Sequence, residues 1–126
     1  MNIIKGKAVA EWPDDFAMQR YVINQQTDAA EQMLYFLINL DQENPIIKSC
    51  ISKALGEWPD DFEMQLHVFN SQMEAAPKFF EYEHAGMPSE TLEGIKTKAF
   101  SDWPDDFEMM LHTLFEQVDA WEELYG

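Results

Sequence analysis

The pentapeptide Trp-Pro-Asp-Asp-Phe occurs three times in 126 residues, at Trp12–Phe16, Trp58–Phe62 and Trp103–Phe107. Aligning the copies brings further positions into register: Lys7, Lys53 and Lys98; Ala8, Ala54 and Ala99; Met18, Met64 and Met109; Gln26, Gln72 and Gln117. An acid follows (Asp28, Glu74, Asp119), and then an alanine (Ala29, Ala75, Ala120). The period is 46 and then 45 residues, so three units use almost the whole chain. A fixed period of this size is the mark of a repeat architecture in which each unit buries its apolar face on a neighbour. Tetratricopeptide units are shorter, and propeller blades carry Trp-Asp, not Trp-Pro. The length matches two-helix HEAT-like units, by analogy only.

The periodicity within each unit is helical. In the second copy Phe62, Leu66, Phe69, Met73, Ala76 and Phe80 form one apolar stripe, and in the third Phe107, Leu111, Leu114, Val118, Trp121 and Tyr125 do so. The first copy gives Phe16, Ile23, Ala30, Leu34 and Leu37, interrupted by Arg20 and Thr27. A shorter helix precedes each motif. One starts at Pro45 with Asn44 as N-cap, one starts at Ser89, and the first is cut down to about 5–12. The expected fold class is therefore all-α: three tandem helical hairpins, each a short helix, a corner and a long helix, packed as one domain over 1–126. The units run over about 1–41, 42–86 and 87–126, joined by loops at 41–45 and 84–89.

The motif reads as that corner: Trp12, Pro13, Asp14, Asp15 and Phe16; Trp58, Pro59, Asp60, Asp61 and Phe62; Trp103, Pro104, Asp105, Asp106 and Phe107. A residue before proline is pushed out of helical geometry, so each Trp ends a short helix. One aspartate caps the long helix and the other sits in its first turn, favoured by the helix dipole. With Asp60 and Asp105 as caps, Glu63 and Glu108 complete capping boxes, which Ala17 breaks in the first copy. Each Phe opens a core stripe, and a buried Trp ring fills the angle between helices. Pro77 stands deep in the second long helix, where a kink near Met73–Pro77 or a break with a new short helix is expected.

The pattern Trp-Pro-Asp-Asp-Phe-x-Met, preceded by Lys-Ala and followed by glutamine, resembles a repeated segment of small uncharacterised bacterial proteins. The resemblance covers all three units. It implies the repeat boundaries and carries no activity or functional residue with it.

Little in the chain asks for chemistry. His67 and His112 share a repeat slot with Tyr21, which fits a half-buried amphipathic position better than a catalytic one. Glu81 and His84 form the half-motif of di-iron bundles, but no second Glu-x-x-His exists. Glu63/His67 and Glu108/His112 stand one turn apart, a spacing more often found in surface pairs than in metal clamps. Calcium loops, phosphate loops and nucleophile motifs are absent. Cys50, the single cysteine, reads as a core thiol in a reducing cytoplasm. No cofactor is expected, and no run is apolar enough for a membrane span or signal peptide.

Charge is the outlier: 24 acids against 8 bases give a formal −16. Removing all six corner aspartates leaves −10, so capping does not account for it. From Asp102 to Gly126 there are eight acids and no Lys or Arg. Such a field repels nucleic acid and anionic membrane and steers basic partners. The expected function is a non-catalytic interaction module docking on a basic protein surface through Glu74, Glu81, Glu83, Glu108, Glu116, Asp119, Glu122 and Glu123. A sharper form is a nucleic-acid-mimicking inhibitor that occupies the site of a nucleic-acid-binding protein, as small viral or plasmid-borne inhibitors do. Two alternatives stand beside it: a metal-binding or enzymatic helical protein using Glu and His between helices, and a structural adaptor whose acidity serves only solubility. The oligomeric state is left open by the sequence.

Overall fold

The computed structural model describes residues 2–126, which form six α-helices and no strand. They are α1 (Asn2–Glu11), α2 (Phe16–Asn39), α3 (Pro45–Glu57), α4 (Phe62–Phe80), α5 (Ser89–Asp102) and α6 (Phe107–Tyr125). The all-α class and the alternation of short and long helices are those expected. Among the described residues no helix is long and apolar enough to cross a membrane, and none uses a positive φ.

The chain divides into two compact units, one ending at Phe69 and one running from Asn70 to Gly126, with the dividing point inside α4. In the first, α1 packs on α2. Its buried apolar side chains include Ile4, Ala8, Met33, Cys50, Ile51, Ala54 and Phe69. The Phe36 and Phe69 rings meet at 4.9 Å. In the second unit α5 packs on α6, over a core of Ala76, Phe79, Met87, Ala99, Phe107, Met110, Leu114 and Val118. Ala8, Ala54 and Ala99, one repeat position, are all without exposure. Burial of the same small side chain in all three units accompanies the recurrent Lys-Ala.

Local signals set most boundaries. Asn44 caps α3 by accepting from the Ile46 and Ile47 N–H groups, with Pro45 in the first turn. Trp58 and Trp103 close α3 and α5 in non-helical geometry, each donating its N–H to an alanine carbonyl four residues back.

Several expectations need correction. The caps are the second aspartates: Asp15, Asp61 and Asp106 accept from Met18, Met64 and Met109. Each Trp carbonyl accepts from the N–H of that second aspartate. This closes a turn that leaves Asp14, Asp60 and Asp105 ahead of the helix. Methionine then holds the third helical position, so the capping box with Glu63 or Glu108 does not form.

Nor does α4 break at Pro77. It runs unbroken through the proline, whose residue faces solvent while Ala75, Ala76 and Phe79 are buried around it. The Glu81 N–H donates to the Pro77 carbonyl at 2.9 Å, so helical bonding continues past the proline.

The buried stripes are also rotated from the apolar pattern. In α4 they run through Gln65, Phe69, Gln72, Ala76 and Phe79, leaving Phe80 exposed. In α2, Ala29 and Met33 are buried while Phe16 and Leu34 are exposed. In α6, Met110 takes the buried place beside Leu111, and Tyr125 is exposed. Glutamine enters the interior because its amide finds partners there.

Candidate functional site

The eight acids singled out by the sequence all lie between Asn70 and Gly126, and all are exposed. On α6, Glu108, Glu116, Asp119 and Glu123 fall on one face, opposite the buried face of Phe107, Met110, Leu114 and Val118. Residues three or four apart are neighbours about 5–6 Å from each other, so Glu116, Asp119 and Glu123 make a row of carboxylates, with Glu108 two turns ahead of it. Few pairings temper it. Lys78 pairs with Glu74 at 3.2 Å and His112 reaches Glu116 at 3.4 Å, both in the open.

His84 is placed differently from the sequence expectation. It joins Glu122 on α6 through Nε2 at 2.5 Å, while its Nδ1 accepts from the Gly86 N–H at 3.1 Å. The Nδ1 contact fixes the tautomer, so Nε2 carries the hydrogen and donates to the carboxylate. The Trp121 ring lies edge-on to the imidazole at 6.0 Å. The hydroxyl of Tyr82 is held above its usual value, first by desolvation and then by the negative charges of Glu122 and Asp119. His84 thus pins the loop after α4 to α6. His67, His112 and Tyr21 are exposed, not half-buried. Among the described residues no three His, Cys, Asp or Glu side chains converge as metal ligands. Cys50 is buried, and desolvation pushes its thiol up to about 11 against an opposing backbone hydrogen bond.

The corners depart most from expectation. Trp58 is 38% exposed, with Trp12 and Trp103 alike, so no tryptophan ring fills the angle between helices. That space goes to the residue four places after the capping aspartate. The Gln65 amide, buried, donates to the carbonyls of Trp58 at 2.7 Å and Pro59 at 3.3 Å. Gln19 does the same to Trp12 and Pro13, and the third copy has fully buried Met110 in that place.

A second glutamine binds each later corner from outside. Gln26 accepts from the Phe62 N–H at 2.7 Å and donates to the Asp61 carboxylate at 2.9 Å. Gln72 accepts from the Phe107 N–H at 2.6 Å and donates to the Asp106 carboxylate at 3.0 Å. One amide so satisfies both an orphan donor at a helix start and the carboxylate that caps it. Beside the first of these clasps, Lys7 Nζ donates to the Asp60 carbonyl at 3.1 Å. The sequence showed Gln26, Gln72 and Gln117 in register. Their place ten residues after each Phe was the available sign that the amide has a job.

Two hollows accompany this arrangement. One, of about 200 Å³, lies where Ile4, Lys7, Glu11, Val22 and Gln26 meet the corner residues Asp60, Asp61, Glu63 and Met64. The other, of about 320 Å³, is lined by Thr91, Gly94, Ile95, Lys98, Asp102, Thr113 and Gln117. The chain matches no protein-family model, no curated protein and no solved structure.

Proposed function

We propose that this chain is a three-unit helical repeat that acts by binding, without catalysis, to a basic surface of another protein in the cytoplasm. The observation that carries the reading is the α6 stripe. Glu108, Glu116, Asp119 and Glu123 stand on the face opposite the core, on a helix without lysine or arginine. Glu74, Glu81, Glu83 and Glu122 add exposed charge in the same part of the chain. A rigid row of carboxylates in a field of −16 attracts a cationic surface and accelerates encounter. A nucleic-acid-binding protein is the partner whose surface best fits that chemistry, because a row of carboxylates spaced by helical turns offers it repeated negative charge in place of phosphates. The three-unit reading is supported by the clasp, made twice with the same atoms from register-equivalent glutamines.

The test starts from a partner captured on the immobilised chain and identified by mass spectrometry. Affinity should fall steeply from low to physiological salt, as the screening length shrinks to about 8 Å. Reversing Glu108, Glu116 and Glu123 to lysine should slow association and leave the thermal midpoint nearly unchanged, since exposed charges contribute little to stability. Displacement of the chain by the partner's own DNA or RNA marks mimicry. A salt-insensitive complex that survives the reversals overturns the proposal and leaves the acidity as a solubility device.

A further inference from the structure

The two hollows share five repeat-equivalent side chains, once with a corner seated on them and once without. Ile4, Lys7, Glu11, Val22 and Gln26 align by the repeat with Ile95, Lys98, Asp102, Thr113 and Gln117. In the first hollow the corner Asp60–Met64 sits against these side chains, held by Gln26 and Lys7. In the second, nothing among the described residues takes the corner's place, and the space is larger. Gln117 is exposed, and its amide makes no hydrogen bond among the described residues.

The complementary half lies at the first corner. Asp15 caps α2 through the Met18 N–H, as Asp61 and Asp106 cap their helices, but no glutamine among the described residues reaches it. The Phe16 N–H likewise has no side-chain partner among the described residues, and the Phe16 side chain is 75% exposed. The clasped Phe107 is 3% exposed and meets the Phe80 ring at 5.9 Å. Asp14, Asp15 and Met18 repeat Asp60, Asp61 and Met64, and only Ala17 departs from Glu63.

The geometry points to head-to-tail self-association, in which the Asp14–Met18 corner of one copy seats on the Ile95–Lys98–Gln117 surface of a second copy. The occupant is identified by the chain itself, which already places this corner sequence on this surface. In the contact, Gln117 Oε1 accepts from the Phe16 N–H and Nε2 donates to the Asp15 carboxylate, while Lys98 Nζ donates to the Asp14 carbonyl. Because the two surfaces differ, the interface is heterologous, and it leaves one corner and one seat free at the ends of any open assembly. Two copies of net charge −16 repel, so association strengthens as salt is raised. Binding to a basic partner moves with salt in the opposite direction, which keeps this inference separable from the proposed function.

Sedimentation velocity of the purified chain at rising concentration and salt tests it, using two variants chosen at exposed side chains that make no bond. Gln117→Ala removes the seat's amide, and Phe16→Ala removes the corner's apolar anchor. Circular dichroism checks that each remains folded. The parent chain should form dimers and longer species. Each variant alone should associate about tenfold or more weakly, the scale of hydrogen bonds lost to a charged group. Mixing the two should restore association and stop it at a one-to-one pair, because only the corner of the Gln117→Ala copy and the seat of the Phe16→Ala copy are intact. A parent that stays monomeric throughout overturns the inference. So do variants that assemble like the parent, which would place contact elsewhere, and a mixture that fails to complement, which would mark a closed symmetric dimer.

Discussion

The corners at Phe16 and Phe107 share five residues in the same order, yet one phenylalanine is 75% exposed and the other 3%. The difference is not in the corner. Both have a second aspartate as cap, and in both a Trp carbonyl accepts that aspartate's N–H. What the third corner has and the first lacks is a glutamine arriving from another helix, and a ring, Phe80, against its own. The motif builds a turn by itself. Whether that turn becomes core depends on what is laid against it.

The largest effect should come from truncating the two rings. Phe107→Ala should cost about 3–5 kcal/mol by urea denaturation, as for a fully buried aromatic, and Phe16→Ala should stay within about 0.5 kcal/mol at concentrations where the chain is monomeric. Equal costs would break the comparison. Next come the clasps. Gln72→Ala leaves the Phe107 N–H and the Asp106 carboxylate without its amide, and should cost about 2 kcal/mol. Gln117→Ala should be near neutral in the same monomeric regime. Trp58→Ala should cost about 2 kcal/mol, below the value of a wholly buried ring, because more than a third of the side chain already meets water.

The smallest effect is one of pH. Cys50 occupies the repeat position of Ile4 and Ile95. Its thiol ionises more reluctantly folded, at about 11, than at the ordinary 9.0. Folding therefore favours the protonated form. That contribution is fully present below pH 9.0 and is lost as pH rises toward about 11. Stability should show no thiol-dependent change between pH 6 and 8, with Cys50→Ala as the reference chain above that range. Ile95→Cys sharpens the contrast, since a thiol lining the open hollow should react with a maleimide at neutral pH while Cys50 does not.

The helices were legible because their signals are local. Asn44 before Pro45 marks a start, and Trp before Pro marks an end. The identity of the caps was not, because Asp60 and Asp61 are equally good capping residues and only the turn closed by the Trp58 carbonyl selects between them. Gln65 and Gln72 escaped for another reason. A pattern that sorts residues by hydrophobicity sends every amide outward, and the partners that hold these two inside are carbonyls, N–H groups and a carboxylate far along the chain. The acidic stripe on α6 was readable from composition and helical period alone. The seat around Gln117 was not, since its meaning comes from seeing an equivalent seat filled.

The absence of positive φ among the described residues has a consequence for the disordered chain. Corners turned by Trp-Pro and aspartate need no glycine, and a methyl group added at Gly6 in α1 or Gly56 in α3 meets open space. These two residues therefore do little for the folded protein except widen the range of shapes it must give up to fold. Gly6→Ala and Gly56→Ala should each raise stability by about 0.5–1 kcal/mol without a new contact, acting through the entropy of the unfolded ensemble.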